Sequence, residues 1–185
     1  TLNQVFDLLR PGDIVTHCFN GKNPGSISDS PQIFANAKRL AEEGVYMDVG
    51  HGAASYNFKV AKEAIANGLK PYSISTDLHG WNLNGPVYDL ATTVSKLYAA
   101  GLSLDECVNA VTCNPRNFLA LKNAATLAIG NKADFTIFDV NDCDEQVSDS
   151  QGNEMTMKSA FEPKMVISGA KTFLSERTKT PQNNS

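Results

Sequence analysis

Residues 45–52 read VYMDVGHG. Val45, Tyr46, Met47 and Val49 form a short apolar run with the β-propensity of a buried strand, and it stops on His51 between two glycines. Two other stretches end in the same way. DIVTHCFNG (13–21) reaches His17, and YSISTDLHG (72–80) reaches Asp77.

Helical patterns separate these runs. TLNQVFDLLRPGD (1–13) places Leu2, Val5, Phe6, Leu8 and Leu9 on one face before Pro11-Gly12 stops it. QIFANAKRLAEEG (32–44) starts behind Pro31 and closes at Gly44, and SYNFKVAKEAIANG (55–68) closes at Gly68. The alternation of strand and helix predicts an α/β fold with a parallel sheet. In such folds ligands sit beyond the carboxyl ends of the strands, where His17, His51 and Asp77 all fall.

After Asp77 a long connection leads into helical segments at LATTVSKLYAAG (90–101) and SLDECVNAVTCNPRNFLAL (103–121), the second opened by a Ser103/Glu106 capping box. From about residue 125 the pattern becomes β-rich. TLAIGNKADFTIFDV (126–140) and KMVISGAKTFL (164–174) read as strands, NDCDEQVSDSQGNEM (141–155) as a polar loop, and SERTKTPQNNS (175–185) as a disordered tail.

Composition narrows the function classes. The 185 residues are 42% hydrophobic, enough for a real core, and 20 acidic against 16 basic residues leave a formal charge of −4. No Lys/Arg cluster stands out, so nucleic acid is not an expected partner. No apolar stretch is long enough to span a bilayer, no membrane association is expected, and the reading is cytoplasmic. The four cysteines form no CxxC pair and are expected to be reduced thiols. The start at Thr1, without methionine and directly into a helical pattern, suggests missing upstream sequence.

Imidazole and carboxylate are ordinary ligands of zinc, so His17, His51 and Asp77 at successive strand ends read either as a metal site or as hydrogen-bonded structural residues. Gly50 and Gly52 leave room for a metal or substrate around His51. An aspartate on that rim is placed to take a proton from water, which makes Asp77 the candidate general base. His79 either orients that carboxylate, contacts substrate or faces solvent. Asn84-Gly85-Pro86 reads first as a turn and second as a source of backbone donors over a pocket.

Taken together, LLRPGDIVTHCFNG, DVGHG, STDLHG and NGPVYDLATTVSK resemble the amidohydrolase superfamily, and within it the dihydroorotase-like amidohydrolase/deacetylase branch. TLAIGNKADFTIFDV followed by MVISGAKTF is similar to the strands these enzymes add to a small β-sandwich. The resemblance implies a (β/α)8 TIM-type barrel with one or two zinc ions. It implies that His17, His51 and Asp77 contact metal, that Asp77 is catalytic, and that His79, Asn84, Gly85 and Pro86 line the substrate pocket. The implied reaction is hydrolysis of an amide or ester: an N-acyl group, a cyclic amide or an acetyl ester of a small molecule.

The family's HxH strand and bridging lysine have no counterpart here, so the chain is expected to be the carboxyl-terminal half of such an enzyme. Residues 1–122 would belong to the barrel, 123–177 to the sandwich and 178–185 to the tail. Its expected partner is the missing amino-terminal half, with a homo-oligomer as a further possibility, and the 185 residues alone are expected to turn over little. Two alternatives stand beside this: a non-catalytic remnant used in binding or assembly, and a dihydroorotase- or dihydropyrimidinase-type cyclic amidase. No arginine stands near a strand end, which disfavours a guanidinium clamp for a substrate carboxylate.

Overall fold

The structure, a computed structural model, describes residues 1–121 and 127–179. The expected domain boundary at 122/123 and residues 180–185 of the expected tail lie outside them. Among the described residues, no helix is long and apolar enough to cross a membrane.

The first part alternates as the pattern predicts. Helix α1 (Leu2–Phe6) leads to β1 (Ile14–Val15), α2 (Pro31–Glu42) to β2 (Tyr46–Met47), and α3 (Phe58–Ala66) to a third extended run. β1 and β2 pair in parallel, Ile14 with Tyr46 and Val15 with Met47, and a parallel bridge joins Asp48 to Ser73 in the third run. Several helices start where a side chain satisfies one of their free amides. Ser30 accepts from the Ile33 N–H, Asn57 from Val60 and, at the start of α4 (Leu90–Ala99), Asp89 from Thr92.

The segment read as one helix over 103–121 is two, α5 (Leu104–Val111) and α6 (Cys113–Phe118), broken at Thr112. The physical reason is Pro115: a continuous helix would press its ring against the Val111 carbonyl and lose an N–H donor.

The second part is a three-stranded antiparallel sheet of β3 (Asp134–Ser148), β4 (Glu154–Ser168) and β5 (Lys171–Leu174). Residues 141–155, read as a loop, are therefore mostly strand, and only 149–153 turn. Polar residues on the outer face hid the alternation. Inward, Val147 faces Met155 and Glu145 faces Met157, all four buried. The turn is built on Asp149, whose buried carboxylate accepts from the Gln151, Asn153 and Phe58 amides and from Asn153 Nδ2.

Helix α4 packs on β4 and joins the two parts into one core with Val49, Tyr56, Leu97, Met157 and Phe161 buried. Ser95 Oγ accepts from the Phe161 N–H at 2.9 Å, and Tyr98 meets the Phe161 ring edge-on. The expected disorder from residue 175 fails over the described part. Ser175 N–H donates to the Lys164 carbonyl, and Arg177 is buried, donating through two nitrogens to Glu145 and through Nε and Nη2 to Glu162. A single arginine drawn in by two carboxylates overrides the polar composition around it.

Replacing Arg177 by Met removes the cation opposite these largely buried carboxylates. The expected loss is about 3–5 kcal/mol of unfolding free energy, measured by denaturant titration of the 185-residue chain, with Glu145→Gln recovering part of it in the double variant.

Candidate functional site

The parallel runs carry their hydrogen bonding further than the regular strands do, up to the rim. Asp48 N–H donates to the Val15 carbonyl and Cys18 N–H to that of Asp48. On the other side the Val49, His51 and Gly52 amides donate to the Ser73, Ser75 and Thr76 carbonyls. The Asp48 carboxylate locks the three runs together beneath the rim. It accepts from Thr16 Oγ1 at 2.8 Å, Ser73 Oγ at 2.6 Å and Ser75 Oγ at 2.6 Å. Asp48 did not figure in the sequence reading. The signal was there: an acid inside an apolar strand, with hydroxyl residues in both neighbouring runs.

His17 and Asp77 have φ of 62° and 48°, in the left-handed region that side chains rarely adopt. These backbone turns lay both side chains onto the Gly50-His51-Gly52 stretch. His17 Nδ1 is 2.7 Å from the Gly50 carbonyl oxygen. A carbonyl only accepts, so Nδ1 carries the proton and Nε2 presents its lone pair. A methyl group at Gly50 would lie 2.6 Å from His17 Nδ1, and one at Gly52 would lie 2.6 Å from Asp77 Oδ2. The two glycines are thus the floor on which an imidazole and a carboxylate rest, and no larger residue fits there.

His51 does not join them. It is fully buried, stacked 4.6 Å from the Tyr56 ring, with Nδ1 3.0 Å from the Gly52 carbonyl and Nε2 3.1 Å from Lys96 Nζ. Both ring nitrogens are thus engaged inside the core. Among the described residues no group of three His, Cys, Asp or Glu side chains stands close enough to hold an ion. Of the three expected ligands, His17 and Asp77 lie on the glycine stretch at the rim, while the His51 ring turns inward to a lysine.

That lysine was also missed. Lys96 Nζ, buried on α4, donates to His51 Nε2, to the Ser148 carbonyl at 2.8 Å and to the Pro86 carbonyl. Burial brings its pKa down from 10.5 to about 7, against the opposing pull of Asp149 and Asp89. Burial, followed by repulsion from Lys96, lowers that of His51 from 6.5 to about 3. A lysine inside a helical LATTVSKLYAAG pattern reads as solvent-facing, and only the packing of the β3–β4 hairpin over α4 buries it.

The remaining candidates sit in the connection after Asp77, which folds around the buried Asn82. Asn82 Nδ2 donates to the Asp77 carbonyl and Oδ1 accepts from the His79 N–H. His79 is exposed, and its Nδ1 accepts from the Trp81 N–H. Asn84 is exposed, Gly85 N–H donates to the Asn82 carbonyl, and Pro86 serves through its carbonyl on Lys96. Nothing brings Asn84, Gly85 or Pro86 against His17.

The sign of the pH dependence follows from the two lowered pKa values. Where a native group holds its proton less tightly than the unfolded chain does, stability rises with pH between the two values. His51 therefore contributes a rise from about pH 3 to 6.5, and Lys96 one from about pH 7 to 10.5. Unfolding free energies measured across this range should lose the first slope in His51→Gln and the second in Lys96→Met.

With this geometry in view, the chain can be set beside known proteins. The Amidohydrolase family model matches residues 30–173. Deacetylase Atu3266 of Agrobacterium fabrum (strain C58 / ATCC 33970) is 47% identical over 175 residues, which cover 95% of this chain and 43% of that protein. The crystal structure of a dihydroorotase superposes with a TM-score of 0.90 at 47% identity, covering 94% of this chain and 45% of the other. That of an adenine deaminase gives a TM-score of 0.86 at 37% identity, covering 94% and 48%. The chain spans less than half the length of each of these relatives. It belongs to the amidohydrolase family.

Proposed function

We propose that these residues form one side of a metal-dependent hydrolase acting on a carbon–nitrogen or ester bond, with an N-acyl or acetylated small molecule as substrate. In this reading the parallel runs are part of a TIM-type barrel, and β3–β5 are strands of its β-sandwich. The further ligands come from outside the 185 residues, in keeping with the relatives being more than twice as long. The names of the relatives, a deacetylase among them, support the class of reaction.

One observation carries the reading: His17 and Asp77, both on left-handed backbone, lie on the two glycines that flank His51. The donor set fits a divalent ion such as zinc in part, since His17 offers Nε2 with Nδ1 tied to a carbonyl, the usual preparation of a metal-binding imidazole. Asp77 is exposed and offers carboxylate oxygens. An ion held there would supply Lewis acidity and lower the pKa of a nearby water.

The chain's own residues do the rest. The Gly50 carbonyl holds His17 in the Nδ1–H tautomer. Asp77 Oδ2, above Gly52, takes the proton of the attacking water and returns it to the leaving nitrogen or oxygen. Asn82, donating to the Asp77 backbone carbonyl, fixes the stretch of backbone that carries that carboxylate. His79, exposed two residues further along, is the contact for substrate.

A cyclic amide is the second reading, favoured by the dihydroorotase superposition. Hydrolysis of N-acetylated amino acids set against dihydropyrimidines, by the protein carrying both halves, decides between the two. Asp77→Asn is expected to lower kcat by about 10²–10⁴-fold, the usual worth of a general base, with KM little changed. Activity retained in that variant would end the reading.

A further inference from the structure

We propose that Asp48 is a positioning residue for this site: its carboxylate gathers the Thr16 and Ser75 hydroxyls from the two flanking runs onto Gly50, and so sets where the strand ends bearing His17 and Asp77 stand. Its purpose rests on the hydrolase reading above; its geometry does not.

Asp48 is buried on the middle run, three residues before His51, and hydroxyls take both of its oxygens. Oδ1 accepts from Ser73 Oγ, while Oδ2 accepts from Thr16 Oγ1 and Ser75 Oγ. Thr16 immediately precedes His17, and Ser75 stands two residues before Asp77.

The proton count gives each bond a direction. A hydroxyl has one proton and two lone pairs. Ser75 gives its proton to Asp48, which leaves a lone pair for the Gly50 N–H, donating to it at 3.1 Å. Thr16 gives its proton to the same oxygen and is thereby drawn against Gly50, where an added methyl group would collide with Thr16 Oγ1. A single carboxylate oxygen thus orients hydroxyls that grip Gly50 from both sides.

The same register runs on to the rim. The His51 and Gly52 amides donate to the Ser75 and Thr76 carbonyls, which brings Gly52 under the Asp77 carboxylate. Gly50 and Gly52 have φ of 48° and 56°, and a released glycine has much conformational freedom to recover. Without Asp48, the Ser75 hydroxyl can turn its proton elsewhere and the Gly50 amide loses a fixed acceptor. The two outer runs then lose their tie just below the rim. Asp48 acts through these hydroxyls and not on the reacting atoms.

Ser73 is a built-in control. Its bond to Asp48 is as short as that of Ser75, 2.6 Å each, yet Ser75 Oγ is the hydroxyl that meets Gly50. A purely structural Asp48 makes the two serines equivalent, and a positioning one does not.

The first test is amide hydrogen exchange of the 185-residue chain, followed by NMR, with the Leu97 amide inside α4 reporting on global unfolding. Asp48→Ala and Ser75→Ala should speed exchange of the Gly52 amide by about tenfold, the worth of one hydrogen bond. Ser73→Ala should leave it unchanged relative to Leu97. Asp48→Asn keeps an oxygen for Thr16 and Ser75 and turns its NH2 toward Ser73, so most of the protection should return. Gly52 exchange that is unchanged in Asp48→Ala, or equal in the two serine variants, overturns the proposal. Should Asp48→Ala fail to fold, the serine pair decides.

The second test uses the protein carrying both halves, with N-acetylated amino acids and dihydropyrimidines as substrates. Asp48→Ala and Ser75→Ala should lower kcat by about 10–100-fold with KM little changed. Asp48→Asn should recover most of the rate, and Ser73→Ala should lose stability but keep kcat. An equal fall of kcat in both serine variants overturns the proposal. If the unsubstituted protein hydrolyses neither class of substrate, the hydrolase reading fails, while the exchange pattern still decides the role of Asp48.

Discussion

The ammonium of Lys96, taken wholly out of water, is the constraint on which the arrangement of this chain depends. Burying a cation is expensive unless each proton finds an acceptor, and the acceptors here come from a connection loop, a hairpin and the strand-end histidine. The charge can stay inside only while all three segments are in place. Conversely, the three segments share one donor, and each lies where it can accept from it.

Other charges in the core follow a related rule. Asp48 meets hydroxyls from two neighbouring runs, and Asp149 meets amides and one side-chain amide. Neutral dipoles point in fixed directions, so a charge satisfied by them specifies an orientation as well as a distance. Arg177 is the contrast: it neutralises Glu145 and Glu162 directly and pulls the end of the described chain onto the sheet.

The two strand-end histidines show how little the residue type says about role. Each has Nδ1 on a glycine carbonyl. The difference lies at Nε2. In His51 it lies against Lys96, and burial first, then repulsion from that cation, keeps the ring neutral down to about pH 3. In His17, half-buried at the rim, no hydrogen bond among the described residues engages it. The same ring chemistry meets a buried lysine in one case and the rim in the other.

Much of the architecture was legible locally. Periodicity gave the strand and helix alternation, Ser103 and Glu106 gave a helix start, and the G-H-G stretch marked the rim. These depend on residues within a few positions of one another, where the chain's own geometry decides. Three things were not legible: that His51 faces a lysine 45 residues away, that Glu145 and Arg177 pair across 32, and that a polar stretch at 141–155 is strand. Each concerns a polar group whose burial is determined by a distant partner, and a linear pattern scores such groups as solvent-facing. The residues alone determined which groups carry ion-binding chemistry; only the tertiary packing decided which hydrogen bonds those groups make, because a buried polar group must find its partner wherever the fold places one.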